Sequence, residues 1–533
     1  MAKQTSKNIV IRKSKILLIA LIMFRFSSQN LFATNIPAGN VYGHWIQAGS
    51  PYLVLGNITI PQDSLLQIDD GVVVEFQGHY QLHVLGRILA LGTAGNLITF
   101  TALSNWWGIR YDAILSAQDS SLFMYCKFEK GNANGTGNYQ LGGAFFIPYF
   151  SKIRVENCTI SNNSAYYGGA FYCDHANPKI IGNTFSNNTA TGSYGGGIYC
   201  WYSSPVIANN IMTYNVSSIC CKYSSPVIRG NSVTYTTANP AIYCEYSSPS
   251  IINNIISHNP MGIYIDNSSP NVIGNVITYN TSAGTDYGAG IRCRFNSFPQ
   301  IINNTIANNT ALIYGGGLYT DFNSSPLVKN TILWGNYVPN NQGTQLALDQ
   351  TSFPTFYNCD IQGGSAAFYY YDAPNTFTGT YINNIDSDPI FINASGNNFS
   401  LQATSLCINA GDTTGITLPL TDLAGSPRVC NNDVEIGAYE ICATGIQDFS
   451  LSKLRTIFYP NPSDENVTLE ISRDNLPKNL KLQLTNVLGE YAKQIIVQDS
   501  KTTISLHEMT SGIYFYQLSD DKDILSTGKI IVE

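Results

Sequence analysis

Residues 34 to 440 predict an all-β solenoid, a parallel β-helix, and residues 456 to 533 predict a small Ig-like β-sandwich. The first observation is a recurring phrase. Ser204-Pro205-Val206-Ile207-Ala208-Asn209-Asn210 returns as Ser225-Pro226-Val227-Ile228-Arg229-Gly230-Asn231, Ser248-Pro249-Ser250-Ile251-Ile252-Asn253-Asn254 and Ser269-Pro270-Asn271-Val272-Ile273-Gly274-Asn275. Looser copies begin at Pro178, Pro299 and Pro326, so successive prolines stand 27, 21, 23, 21, 29 and 27 residues apart, a repeat period. The second observation is alternation inside each copy. An apolar residue stands two after the proline (Ile180, Ile207, Ile228, Ile251, Val272, Ile301, Val328), an Asn five after it, and another apolar residue two further on. Asn330 comes one place early. Period-two patterning broken at Asn reads as strand, turn, strand, because Asn tolerates left-handed backbone and bonds to its own main chain. The third observation is composition: 12% charged residues, with 45 Gly and 34 Tyr.

A lone strand–turn–strand unit has no second layer against which to bury its apolar edge, so the copies must stack. Stacking pairs each strand with its equivalent about 4.8 Å above and below, and in-register Asn side chains then form a hydrogen-bonded ladder. Coils of variable length, without a strict hexapeptide repeat, resemble the right-handed parallel β-helix family of surface proteins and carbohydrate-active enzymes. That resemblance covers most of residues 36 to 440 and implies the fold, while assigning no activity.

In chain order, Lys3, Lys7, Arg12, Lys13 and Lys15 precede the apolar run Ile16 to Phe24, and Phe32-Ala33 offers a cleavage point before Thr34. Residues 1–33 therefore read as a secretory signal peptide, too short for a membrane span, and no other segment is long and apolar enough to cross a bilayer. Residues 36–128 read as Gly-punctuated strands at Tyr52 to Ile60, Leu65 to Ile68, Val72 to Phe76, Leu82 to Leu85 and Ile98 to Thr101. Leu65 to Phe76 and Trp106-Trp107-Gly108-Ile109 resemble the opening coils of secreted β-helix proteins, which implies an N-terminal capping role.

The clearest repeats run from 140 to 336. Tyr167-Gly168-Gly169, Tyr194-Gly195-Gly196-Gly197, Tyr287-Gly288-Ala289-Gly290 and Tyr314-Gly315-Gly316-Gly317 supply tight turns, and without a following Lys-Ser or Lys-Thr they are not phosphate loops. Alternation after them points Phe171, Ile198, Ile242, Ile263, Ile291 and Leu318 inward, then Cys173, Cys200, Cys221, Cys244, Ile265, Cys293 and Thr320. Tyr172, Tyr199, Cys220, Tyr243, Tyr264, Arg292 and Tyr319 are expected to face solvent, as is the next outward row, Asp174, Trp201, Lys222, Glu245, Asp266, Arg294 and Asp321. From the second turn Asn to the cysteine row the chain spends 12 residues before Cys200, 6 before Cys221, 6 before Ile265 and 13 before Cys293. Short coils between long ones predict a saddle floored by Trp201, Lys222, Tyr243, Glu245, Tyr264 and Asp266.

Rings and ionisable groups in a groove suit a glycan, whose sugar faces stack on aromatics while its hydroxyls take hydrogen bonds. Trp201, Tyr199, Tyr243, Tyr264, Arg292 and Arg294 are the candidate ligand-binding residues. The same ladder has a purely structural reading, in which tyrosines protect the sheet and charges neutralise one another. Lys222, Glu245 and Asp266 are the candidate catalytic residues. Two carboxylates one strand spacing apart suit a retaining glycosidase, and a Lys beside them is similar to a Ca²⁺-assisted polysaccharide lyase. No run matches the Asp-rich motifs of polygalacturonase-like hydrolases. No metal ligand set is predicted, and Ca²⁺ is the one ion the acidic turns would suit.

Twelve cysteines in an exported chain suggest disulfides. The row Cys173, Cys200, Cys221 and Cys244 argues otherwise, because parallel register holds Cβ atoms about 4.8 Å apart, beyond disulfide reach. With no Cys-x-x-Cys, zinc is excluded too. Cys407, Cys430 and Cys442 lie in an irregular segment where a bridge such as Cys430 to Cys442 is feasible and the pairing is open. Residues 337–400 are polar and loop-rich, and within a closing segment 337–440 the runs Asp386 to Phe391, Cys407 to Asp412, Asp422 to Arg428 and Asp433 to Glu440 resemble the closing segment of bacterial β-helix surface proteins.

A linker spans 441–455. Beyond it Phe458-Tyr459-Pro460-Asn461-Pro462, Val467 to Ile471, Leu480 to Val487 with Leu488-Gly489-Glu490, Thr510 to Tyr516 and Gly528 to Val532 alternate as six or seven strands. These motifs resemble the type A C-terminal sorting domain of the type IX secretion system in Bacteroidetes, which implies outer-membrane translocation and a cell-surface or extracellular location. A net charge of −7 without a basic stripe excludes nucleic acid as a main partner. The expectation is an exported monomer that binds polysaccharide or another extended ligand and engages the type IX machinery through residues 456–533. A polysaccharide lyase or glycoside hydrolase is one alternative, and a structural adhesin or stalk is the other.

Overall fold

The computed structural model describes residues 33–111, 120–192, 194–282, 287–372, 377–430, 432–442, 456–471, 476–486, 490–520 and 524–533. The expected signal peptide, apart from Ala33, and most of the expected linker lie outside the described residues. Two compact units divide after Cys442.

The first unit holds three parallel sheets of fourteen strands each, visited in turn by the winding chain, and a short parallel sheet of Asn132–Ala133, Ser164–Ala165 and Thr189–Ala190 at one turn. One circuit shows the logic: Val206–Ala208 joins the third sheet, Ile211–Thr213 the first and Ile219–Lys222 the second. Strands this short cannot stand alone, but in-register stacking lets each bury its apolar positions against the same positions above and below. Ile180, Ile207, Ile228, Ile251, Val272, Ile301 and Val328 form one such line. All seven are fully buried. One continuous apolar core runs from Val41 to Tyr370. Aromatic stacks fill its early coils, with Phe76 on Trp106 at 4.4 Å, Phe100 on Phe128 at 4.9 Å and Phe145 on Phe171 at 4.5 Å. Thr34–Ile36 already pairs with Tyr52–Val54, so the strands expected to cap the solenoid are themselves coils of it. Coil stacking also continues past 336, through Leu346–Leu348 and Thr355–Tyr357 to Thr380–Ile382. Longer connections hide the period there.

The Asn ladder is fully hydrogen-bonded. Asn183, Asn210, Asn231, Asn254, Asn275 and Asn304 are each buried. Asn210 illustrates the pattern: its main-chain N–H and its Nδ2 both donate to Asn231 Oδ1 at 2.9 Å, and Nδ2 also donates to the Ile180 carbonyl at 2.9 Å. Thr331 occupies the next rung, its hydroxyl accepting from Asn304 N–H at 3.3 Å. Asn330 stands one place earlier because it belongs to the outer turn row with Asn209, Asn253 and Asn303, all in the left-handed region at φ 50 to 55°. A second ladder, Asn259, Asn280, Asn309 and Asn336, runs down the next turn.

After Ile385 the chain stops winding and runs back over the outer face of the first sheet as a strap. Phe391–Asn393 and Asn398–Leu401 form a hairpin. Phe399 and Ala438 pack on Val276 and Ala307, and Leu401, Cys407 and Ile436 pack on Ile332. Cys430 and Cys442 form a disulfide within the strap, with Cα atoms 5.6 Å apart. Lys329 Nζ meets Asp412 at 2.7 Å. Arg428 and Glu440 form a fully buried ion pair at 3.0 Å. Where the strap begins, the Cys407 thiol donates to Asp360 Oδ2 at 3.0 Å.

The second unit has a three-stranded and a four-stranded antiparallel sheet. Alternate residues Val467, Leu469 and Ile471 meet Leu482, Leu484, Tyr516, Leu518 and Ile530 in its core.

Asn254→Ala would leave the Asn231 main-chain N–H buried without an acceptor. It should lower stability in denaturant titration by about 2–3 kcal/mol. Burial raises the Asp360 carboxyl to about 6, against hydrogen bonds from Cys407 and Ser387 that oppose the shift. A raised acid stabilises the fold below its ordinary value of 3.8 and loses that contribution as pH rises through about 6. Hydrogen bonds from Lys329 and Thr414 instead lower Asp412 to about 2, a contribution lost only as pH falls towards 2. Thermal unfolding should therefore show a decline in midpoint between pH 4 and 7 that Asp360→Asn reduces, with Asp321, also raised to about 6 by burial, carrying part of what remains.

Candidate functional site

The outer face of the second sheet holds every candidate residue, in the expected register. Tyr172, Tyr199, Cys220, Tyr243, Tyr264, Arg292 and Tyr319 form one line, and Asp174, Trp201, Lys222, Glu245, Asp266 and Arg294 the next. The inward line Cys173, Cys200, Cys221, Cys244, Ile265 and Cys293 is fully buried, and its thiols are free.

Exposure departs from expectation in the first outward line. Tyr199, Tyr243 and Arg292 are only 5%, 6% and 7% exposed, and Tyr172, Cys220 and Tyr319 are buried with them. The long connections fold over this line rather than standing as walls. Tyr167 meets Tyr199 at 5.0 Å. Tyr194, from the Cys200 coil, crosses the short coil to stack on Tyr243 at 4.5 Å. The small side chain of Cys220 leaves room for that crossing. Arg292 lies against Tyr264, Tyr287 and Tyr319 at 5.0, 5.5 and 5.6 Å, a cation enclosed by rings. Tyr172, Tyr199, Cys220 and Tyr243, with Tyr167 and Tyr194 packed against them, form a second apolar layer outside the core.

The second outward line keeps half-buried, accessible side chains. Lys222 Nζ pairs with Glu245 Oε1 at 2.8 Å and lies 5.8 Å from the Trp201 ring. Burial works against the Lys222 charge, but the hydrogen bond from its ammonium to Glu245 and that carboxylate's charge outweigh it and raise the amine. Proton abstraction needs a neutral amine near the working pH, so this contact opposes a basic role for Lys222. Asp266 accepts from Asn267 Nδ2 at 2.6 Å and from the Tyr264 hydroxyl at 3.4 Å. Burial raises its carboxyl, the Asn267 bond opposes this, and neighbouring Glu245 adds to the rise. Arg294 Nε donates to both Asp321 oxygens at 2.9 Å and lies against Phe295 and Phe322. Among the described residues no group of three or more His, Cys, Asp or Glu side chains is arranged to hold a metal ion.

A third line lies at the turn that follows. Tyr149, His175, Tyr202, Tyr223 and Tyr246 stack ring on ring at 4.9, 5.0, 4.9 and 5.2 Å, within 8 to 17° of parallel. All five hold left-handed backbone, φ 46 to 55°. Their tyrosines are 38 to 58% exposed. Beneath them a serine ladder fixes the turn: Ser203, Ser224 and Ser247 N–H groups donate to the hydroxyls of Ser224, Ser247 and Ser268 at 2.8 to 2.9 Å. Trp201 stands at 85° and 89° to Tyr202 and Tyr223. The signal for this line was the Tyr-Ser-Ser-Pro sequence at Tyr202, Tyr223 and Tyr246, one residue beyond the outward row read from alternation.

The family described as the right handed beta helix region matches residues 86–249, 182–290 and 240–406. The secretion system C-terminal sorting domain matches residues 457–533. No curated protein and no solved structure matches the chain. The sorting domain marks the protein for type IX secretion, to the outer-membrane surface or the extracellular space. With three parallel sheets wound from 34 to 382, the chain belongs to the right-handed β-helix family and carries a type IX sorting tail.

Proposed function

We propose that this exported protein binds an extended polysaccharide along the Trp201 to Asp266 line and the exposed ring stack beside it. The observation that carries the reading is the five-ring stack, one ring per coil at 4.9 to 5.2 Å. Stacked rings cover one another's faces and turn edges and phenol hydroxyls outward. A polymer whose repeat is near the coil spacing would meet a ring edge at each step, with a phenol hydroxyl at four of the five. Trp201, perpendicular to the stack, supplies the ring face that a sugar can cover. Lys222 and Glu245, already paired, offer charge-assisted hydrogen bonds to hydroxyls at small reorganisation cost.

A hydrolytic reading has one observation in its favour. Glu245 and Asp266 are register neighbours, Glu245 held by Lys222 while the environment raises Asp266. A raised acid beside a carboxylate paired with a cation suits acid and base roles.

Affinity electrophoresis against a panel of neutral and acidic polysaccharides tests binding, with released reducing or unsaturated ends read from the same samples. Trp201→Ala should weaken retention about tenfold, and Tyr223→Ala should weaken it too. Tyr199→Phe, under the loop layer, should leave it unchanged. Retention that ignores Trp201→Ala and Tyr223→Ala would remove the proposed surface. Product release abolished by Asp266→Asn with retention intact would move the site to the hydrolytic reading.

A further inference from the structure

The strap holds the solenoid through two lines of groups, and both lines continue beyond the point where the strap ends. The first is the outer turn row. Asn330 Nδ2 donates to the Asp412 carbonyl at 3.0 Å, and Asn303 Nδ2 to the Glu435 carbonyl at 2.8 Å. Asn253 Nδ2 donates to the carbonyls of Thr421 and Asp422 at 2.9 and 3.0 Å. Each amide thus grips main-chain carbonyls of a chain crossing the coils. Asn209, two coils before Asn253, has the same left-handed backbone at φ 55° and is exposed. The second line is the outer row of the first sheet. Val276 and Ile332 are 3% and 0% exposed beneath the strap, whereas Ile255 and Ile211, in the same row beyond it, are 38% and 54% exposed.

Where the strap leaves the coils a cleft of about 890 Å³ opens, lined by Asn209, Arg229, Ile252, Ile255, Pro419 and Leu420 among others. Leu420 is 94% exposed at its rim. Arg229 is the cation of that lining and is exposed. The lining carboxylate, Asp422, already accepts from the N–H groups of Ser426 and Glu440. An amide donor, the exposed Ile211 and Ile255 on either side of Ser232, and a cation therefore continue a surface that on later coils is covered by the chain's own strap.

We infer that this cleft is a docking site for an extended, acidic peptide segment of a partner protein. Asn209 would donate to its main-chain carbonyls, as Asn253 does to the strap. Ile211, Ile255 and Leu420 would take its apolar side chains, and Arg229 would pair with a carboxylate. A peptide is favoured over a glycan because the equivalent amides hold peptide carbonyls and the adjoining row exposes the aliphatic side chains of Ile211 and Ile255 on either side of Ser232. The site lies at the ends of third-sheet strands, on the turn that follows and on the first sheet, so it is independent of the polysaccharide reading on the second.

Fluorescence anisotropy of the full chain tests it with three labelled probes: an octapeptide alternating Val and Glu, one alternating Val and Lys, and an oligogalacturonate. The Val/Glu peptide should bind, and the Val/Lys peptide should not. Arg229→Gln should weaken the Val/Glu peptide about tenfold by removing a charge-assisted hydrogen bond, and Ile211→Ser should weaken it as well. Both substitutions are at exposed positions, and matched melting midpoints would confirm the fold. Trp201→Ala should leave peptide binding untouched whether or not it alters polysaccharide retention. Equal binding of both peptides, indifference to Arg229→Gln, or capture of the oligogalacturonate alone would overturn the inference.

Discussion

Stacking every coil in register on the one before, at one strand spacing, is the condition on which the rest of this molecule depends. It converts each position of the repeat into a line parallel to the solenoid axis, and each line then has to solve its own chemical problem along its length. Apolar lines solve it by stacking Ile on Ile or Phe on Phe. Buried polar lines are harder, because a polar group without a partner in the interior costs more than the bond it would have made. Asn meets that demand, since one carboxamide accepts from the coil before it and donates to the coil after it.

The same condition explains what could be read from the residues. Inward and outward lines follow from period-two alternation, so the register of Cys200, Cys221, Cys244 and Cys293 and of Lys222, Glu245 and Asp266 was legible. Accessibility was not, because it depends on residues two coils away. Nothing near Tyr243 announces that Tyr194 will cover it. The strap was also hidden. Its one local trace is an aliphatic side chain at Val276 and Ile332, where a solvent-facing position would ordinarily be polar. The exposed ring stack was within reach, since Tyr-Ser-Ser-Pro recurs with the repeat, but the turn residue lies outside the strand alternation.

Around its circumference the solenoid treats its faces differently. The strap seals the first sheet over coils from Val276 to Ile332, the chain's own loops seal the inner outward line of the second, and the rim of that second sheet stays open. The side chains left open are thereby confined to edges and turns, where they repeat at the coil spacing and the polar main chain is already satisfied.

The free cysteines carry a consequence for how the protein reaches its destination. Ten thiols end in the interior, and burial pushes those of Cys173 and Cys293 well above the usual thiol range. In the finished solenoid burial and raised thiols keep Cys173 and Cys293 from forming the reactive thiolate. Before the coils close, no such burial exists, and an exported chain passes through an oxidising compartment. Winding the solenoid must therefore outrun thiol oxidation: protection from mispaired disulfides is a property of folding speed before it is a property of the fold.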